Sequence, residues 1–102
     1  TESRGSKQWQ SDVRRYLQDV WHGVPLAGPV SIRLAFQFLK PPSVSKKRLY
    51  PEVKPDADKL ARCALDAMTG IVFRDDAQVV RLSVSKDYSE EAGVYIVAVV
   101  VR

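Results

Sequence analysis

The chain has 102 residues, of which 45% are apolar and 27% charged, a composition typical of one small globular domain with a modest core. Its net charge of +4 favours a polyanionic partner. Cys63 is the single cysteine and His22 the single histidine, so an intramolecular disulfide is excluded and neither a zinc site nor a Ser-His-Asp triad is favoured.

The first forty residues predict one helix and one strand. Residues 1–7 are polar and are expected to form a flexible lead. Apolar residues then recur at helical spacing from Trp9 to Trp21, with charged residues between them, and Gly23 follows the predicted end of this amphipathic helix. Residues 30–39 alternate apolar and polar side chains, which predicts a half-buried strand with one core face.

Residues 40–55 form a long basic connection with four prolines. Connections of this length in small domains are either functional or disordered. One interpretation is a solvated, mobile loop, and the other is an arm that contacts DNA phosphates. The candidate DNA-binding residues are Lys40, Lys46, Lys47, Arg48 and Lys54.

The second half predicts a helix at residues 57–68 and strands at residues 79–86 and 94–101. The expected core stripe of the helix is Leu60, Ala64, Ala67 and Met68, and Cys63 is interpreted as buried packing. Gly70 suits the left-handed position after the helix. On the first of these strands, Val80, Leu82 and Val84 are expected to share one face.

The final strand is apolar on both sides, which predicts a central position in the sheet or burial against a partner chain. Its apolar run is too short to span a bilayer, and no signal peptide is visible, so we expect a cytoplasmic protein without a membrane partner. Together the elements predict an α+β fold with a small mixed, mostly antiparallel sheet and two main helices packed on one face.

Three aspartates carry most of the functional signal. Asp56 and Asp58 stand at the start of the second helix, and a third acid lies in the pair Asp75-Asp76. The helix rises about 18 Å, and an extended segment at residues 70–76 travels back about 20 Å. The chain is therefore able to return the third acid beside the first two. Clustered carboxylates in a basic protein suggest a hard divalent cation acting on a phosphate backbone.

Other roles for these acids remain open. Asp56 or Asp58 is able to cap the helix, and Asp75-Asp76 is able to form a turn. Asp66 lies two to three turns beyond Asp58 and is interpreted as solvated or structural. Two cations in the first turns of the same helix are placed to face one phosphate: these are Lys59 and Arg62.

Three blocks of sequence resemble the RusA family of Holliday junction resolvases: KPDADKL at residues 54–60, ALDAMTG at residues 64–70 and RDDAQVV at residues 74–80. The resemblance extends over residues 30–101. It implies a homodimeric endonuclease that depends on Mg²⁺, with Mn²⁺ as a substitute. Such enzymes, often encoded by phages and prophages, place paired nicks in opposite strands of a four-way DNA junction, here in a bacterial host cell.

The resemblance also assigns residues. The essential acids of the family correspond to Asp56, Asp58 and Asp76, which would bind the metal with help from Asp75. A family lysine falls on Arg62, with Lys59 as a nearby alternative. The chain is expected to be a single endonuclease domain over residues 1–102 that lacks the first strand of the family, with residues of the natural protein missing upstream.

Two other functions compete with junction cleavage. The second hypothesis is a nucleic-acid-binding module without catalysis, in which the aspartates serve as caps. A less selective nuclease that acts on flaps or replication forks is the third hypothesis.

Overall fold

A computed structural model of the protein describes residues 4–101 and has an α+β architecture, as predicted. Two helices and three strands follow one another in the order α1 (Arg4–Val20), β1 (Val30–Phe38), α2 (Ala57–Met68), β2 (Val79–Tyr88) and β3 (Gly93–Val100). A single 3₁₀ turn over Asp76–Gln78 precedes β2.

The three strands form one sheet in the order β2-β1-β3. The central strand, β1, pairs in parallel with β2 and antiparallel with β3. The sheet is therefore mixed, as predicted, but the expectation that it is mostly antiparallel is wrong. Parallel pairing of consecutive strands requires a long crossover, and residues 39–78, which contain α2, provide it.

The core lies between the sheet and both helices. Alternate residues of β1 face it and are at most 2% exposed: Val30, Ile32, Leu34 and Phe36. α1 covers this face through Leu17 and through Trp9, whose ring centroid lies 5.8 Å from that of Phe36. The alternation that predicted one buried face of this strand is thus confirmed.

The segment after α2 is a buried turn and not the extended return stretch of the prediction. Gly70 has φ +87, which glycine adopts without the strain of a side chain. Its N–H donates to the carbonyl oxygen of Phe73 at 2.7 Å, and the N–H of Leu26 donates to that of Val72 at 2.7 Å. Val72 and Phe73 are almost fully buried. The chain therefore turns to place these side chains in the core and does not run straight from Gly70 to Asp76.

Two predicted details of the helices are corrected. α1 begins at Arg4, so residues 4–7 of the predicted polar lead are helical, while residues 1–3 lie outside the described residues. Residues 4–7 include no large apolar residue, so they give no periodic signal in the sequence. In α2 the buried residues are Ala61, Ala64, Ala67 and Met68. Leu60 and Cys63 are only half-buried.

β3 is more exposed than predicted, and β2 also exposes apolar residues. β3 is an edge strand, so its expected central position is wrong, and Tyr95, Val97 and Val99 on its outer side are exposed. On β2, Val80 and Leu82 are exposed and Val84 is half-buried. The burial of a strand depends on its position in the sheet, and the amino-acid composition of the strand does not determine that position.

Arg14 joins the two helices through the end of α2. Its Nη1 donates to the carbonyl oxygens of Ala67 at 3.2 Å and Thr69 at 2.7 Å. Carbonyls in the last turn of a helix lack partners within the helix, and a cation there also opposes the negative end of the helix dipole. Arg14 therefore fixes the point at which the chain leaves α2.

We expect Arg14→Met to lower the free energy of unfolding by about 1.5–3 kcal/mol, the usual range for hydrogen bonds to a charged group. Urea titration would measure the loss of stability, provided that the unfolding free energy keeps the same dependence on urea concentration as in the wild type. Arg15→Met is the matched control, because the Arg15 side chain is exposed and its guanidinium makes no hydrogen bond or ion pair within residues 4–101. Equal effects of the two substitutions would contradict this role of Arg14.

Candidate active site

The N-terminus of α2 presents the first two predicted acids. Asp56 occupies the N-cap position with φ −71 and ψ 148, but its side chain makes no capping hydrogen bond. Its Oδ2 instead lies 3.9 Å from Nζ of Lys59, an exposed ion pair. Asp58 stands in the first turn, where the positive end of the helix dipole favours a negative charge.

A cavity of about 410 Å³ lies between α2 and β2. Three residues of α2 spaced four apart, Asp58, Arg62 and Asp66, border it because such residues share one stripe of a helix. Asp76 also borders the cavity, and Leu82 belongs to the opposite wall. The remaining lining residues are Ala57, Ala61, Leu65 and Val84.

The structure brings together some predicted site residues and leaves others apart. Asp58, Asp76 and Arg62 border the same cavity, whereas Asp56, Lys59 and Asp75 do not. Asp66, which the sequence analysis set aside, borders it as well. Its spacing of eight residues from Asp58 was the available signal, because it places both acids on one helical stripe.

The acids of this cavity are free of internal partners. No hydrogen bond or ion pair is made by the carboxylates of Asp58, Asp66 or Asp76 within the described part of the chain. A stabilising role normally requires such a partner, so these exposed carboxylates are available to a ligand. Arg62 is likewise exposed, and its guanidinium has no partner among residues 4–101.

Asp75 has a structural contact that distinguishes it from Asp76. Its Oδ1 accepts a hydrogen bond from the Ala77 N–H at 2.9 Å, and the side chain of Gln78 completes a capping box around the 3₁₀ turn. Asp75 therefore forms the turn that the sequence analysis kept as an alternative. The carboxylate of Asp76 projects from the same turn.

Gln78 is a positioning residue that sequence reasoning missed. Its Oε1 accepts hydrogen bonds from the Arg74 and Asp75 N–H groups at 2.9 and 3.0 Å. Its Nε2 donates to the carbonyl oxygens of Leu26 and Gly28, both at 2.9 Å. The available signal was the spacing of three residues from Asp75, typical of a capping box. Gln78 thereby ties the turn that bears Asp76 to the loop before β1.

The donor set fits a hydrated divalent cation better than a closed protein cage. Among residues 4–101, no three His, Cys, Asp or Glu side chains are grouped to hold a metal ion. Asp58 and Asp66 are about 12 Å apart along the helix axis, too far to bind one ion together. Mg²⁺, however, usually keeps several waters and takes one or two carboxylates together with substrate phosphates. Exposed carboxylates without partners suit that kind of site.

Some cations of the basic connection have internal partners, and others have none among residues 4–101. Lys40 donates hydrogen bonds to carbonyls of the same loop, and Arg48 lies 3.8 Å from Glu52. The other predicted DNA-binding residues are exposed, and their ammonium groups have no partner in the described chain: Lys46, Lys47 and Lys54.

The two neighbouring aspartates should differ in their effect on stability. We expect Asp75→Ala to lower the free energy of unfolding by about 1 kcal/mol, because it removes the cap of the 3₁₀ turn. Asp76→Ala should change it by less than about 0.5 kcal/mol, because no contact is lost. Parallel urea titrations of both variants would measure this, and a larger loss for Asp76→Ala would contradict the assignment.

Comparison with known proteins places the chain in a family. A protein of Bacillus subtilis (strain 168), described as uncharacterized protein YqaN, is 38% identical over 76 residues, which cover 65% of this chain and 54% of that protein. The chain thus spans about half the length of this curated relative. Within residues 4–101, no helix is long and apolar enough to cross a membrane. The family model described as Endodeoxyribonuclease RusA matches residues 1–98, and the chain therefore belongs to the RusA family of endodeoxyribonucleases.

Proposed function

We propose that this protein is a metal-dependent endodeoxyribonuclease that resolves four-way DNA junctions by paired, symmetric nicks. Family membership supports DNA cleavage. The observation that carries the proposal is the open cavity that Asp58, Asp76 and Arg62 border, with no side-chain partner among residues 4–101. Unpaired acids beside an unpaired arginine suit a site that holds a cation and a phosphate at the same time.

Three charged residues of the cavity have proposed roles. Asp58 and Asp76 would hold Mg²⁺, or Mn²⁺ as its substitute. The bound ion would supply Lewis-acid stabilisation of the phosphate and a more acidic water. Arg62 would orient the scissile phosphate by paired N–H donors, a geometry that a lysine ammonium does not offer.

Asp56 and Lys59 form the less direct part of the proposed site. Asp56 lies outside the cavity, and a role as a further ligand requires its carboxylate to leave Lys59. Exposed ion pairs contribute little free energy, so a divalent cation would easily compete for this carboxylate. Lys59 would then be released towards the DNA backbone, as an alternative to Arg62. Asp75 is proposed only as a supporting group, since it already caps the neighbouring turn.

The exposed lysines of the basic connection support the choice of DNA as partner. Lys46, Lys47 and Lys54 would contact phosphates, and the affinity should fall steeply with salt because bound counterions are released. Phosphate contacts position a protein without reading bases, so we attribute selectivity to the shape of the branched DNA. The proposed setting is the cytoplasm of a bacterial host cell, with a phage or prophage gene as the source.

We also propose that the active form is a homodimer. Two copies would supply the two sites needed for paired nicks. The outer side of β3 supports this arrangement, since Tyr95, Val97 and Val99 are 65%, 50% and 55% exposed, and the second edge of this strand has no pairing partner among residues 4–101. Long apolar edge strands tend to pair with another chain.

Cleavage is tested on a synthetic four-way junction with Mg²⁺. Asp58→Asn and Asp76→Asn should each slow nicking by about a thousandfold or more, because metal catalysis supplies several kcal/mol. Both variants should bind the junction in Ca²⁺ as tightly as the wild type. Gel-resolved nicking rates and fluorescence anisotropy provide the two measurements.

Asp19→Asn is the matched control, because Asp19 is an exposed acid of α1 that does not border the cavity. If the wild-type protein binds the junction but never nicks it, the nuclease hypothesis is refuted and the hypothesis of a non-catalytic nucleic-acid-binding module remains. Equal cleavage of flap, fork and four-way substrates at equal concentration would replace junction selectivity with a broader nuclease activity.

The dimer is tested by light scattering after gel filtration. We expect the wild type to have twice the 11.5 kDa mass of the chain, and Val97→Lys to be monomeric because it places a charge in the proposed apolar interface. Ser85→Lys adds the same charge to an exposed position of β2 and should remain dimeric. A monomeric wild type would refute the homodimer, and a dimeric Val97→Lys variant would exclude this interface.

A further inference from the structure

The basic connection has no helix or strand, yet one of its lysines holds it together. Nζ of Lys40 donates to the carbonyl oxygen of Arg48 at 2.6 Å and to that of Lys46 at 3.5 Å. The same ammonium lies 5.5 Å from the ring centroid of Tyr88, within the range of a cation–π contact. Lys40 therefore joins the segment at residues 41–48 to the end of β2.

Additional bonds make this segment compact. The Val44 N–H donates to the carbonyl oxygen of Pro41, and the Arg48 N–H donates to that of Ser45, both at 3.0 Å. Such turns are local, and each holds only four residues. The contacts of Lys40 add a polar connection between this segment and the end of β2.

A second lysine fixes the later part of the connection. Nζ of Lys86 in β2 donates to the carbonyl oxygen of Val53 at 2.6 Å, and Pro51 is buried. Residues 49–55 are therefore held beside β2 independently of Lys40. Loss of the Lys40 contacts should release residues 41–48 without displacing the start of α2.

The segment held by Lys40 carries two available cations. Lys46 and Lys47 are both exposed, and their ammonium groups have no partner among the described residues. The backbone carbonyl of Lys46 is itself an acceptor for Lys40. The backbone that carries these two lysines is thus held in part by Lys40, whose own ammonium makes internal contacts.

We propose that Lys40 is a positioning residue: its contacts with Tyr88 and with the carbonyls of Lys46 and Arg48, named here the Lys40 latch, hold Lys46 and Lys47 in place for DNA phosphates. This inference rests on the proposed function and deepens it. It gives Lys40 a role different from the direct phosphate contact that the sequence suggested.

The physical basis of the latch is preorganisation. A loop ordered before binding does not lose that conformational freedom when DNA arrives, so its cations bind more tightly for the same contacts. Without the latch, the segment has to be ordered in the binding step. We expect about tenfold weaker junction binding, with KM raised and kcat unchanged because the acids lie outside the loop.

The latch itself is tested without DNA by limited trypsin digestion of the full chain. Lys40→Met and Tyr88→Leu should each accelerate cleavage after Lys46, Lys47 and Arg48. Lys40→Arg should restore resistance because a guanidinium also donates to carbonyls and stacks on rings, and Tyr88→Phe because it keeps the ring. Cleavage that is unchanged in both Lys40→Met and Tyr88→Leu would overturn the latch. Circular dichroism of each variant identifies any general loss of folding.

Salt dependence separates positioning from direct contact. Junction binding in Ca²⁺ by Lys40→Met should be weaker at every salt concentration, with the slope of log affinity against log salt unchanged. The Lys46→Ala/Lys47→Ala double variant should reduce the magnitude of that slope by about 2, one unit for each lost phosphate contact. A slope reduced by about 1 in Lys40→Met, with normal trypsin resistance, would show that Lys40 contacts a phosphate and would overturn the proposal.

Binding of branched DNA and the positioning role of Lys40 are refuted by different results. Wild-type protein that binds no branched DNA would refute the proposed function and, with it, any role of the latch in binding. Wild-type binding together with Lys40→Met and Tyr88→Leu variants that bind equally well, despite faster digestion, would overturn only the proposed positioning role.

Discussion

The buried face of β1 is the constraint on which the rest of the structure depends. Val30, Ile32, Leu34 and Phe36 are removed almost completely from water, so both helices have to lie on that side of the sheet. β1 is paired along both edges, and its parallel partner, β2, follows it in the chain. The chain must therefore cross over the core between these strands, and the crossover carries the basic connection and α2.

This crossover also explains where the acids lie. α2 returns over the core beside β2, so the stripe that contains Asp58 and Arg62 faces the same cavity as Asp76. The approach to Asp76 is set by Gly70, which turns the chain, and by Gln78, which bonds the following turn to the loop before β1. The residues that position Asp76 are thus a glycine and an uncharged polar side chain.

Charge is used in two ways in this basic protein. Lys40, Arg48 and Lys86 are engaged in internal contacts that shape the connection, whereas other cations of the same region remain exposed. If the substrate is DNA, as we propose, the negative charge of the acids in the cavity would repel a polyanion. A divalent cation between carboxylates and phosphate would remove this repulsion, which is the physical reason for proposing metal dependence.

The sequence by itself determined the local elements. Alternation located the buried face of β1, helical spacing and Gly70 bounded α2 at Ala57–Met68, and the aspartate motifs identified the family. Only the tertiary structure decided the edge position of β3, the inclusion of Asp66 in the cavity, and the separation of Asp56 from it. Periodicity and spacing report contacts between near neighbours in the chain, whereas strand order, burial and the partner of a charged side chain depend on residues far apart in sequence.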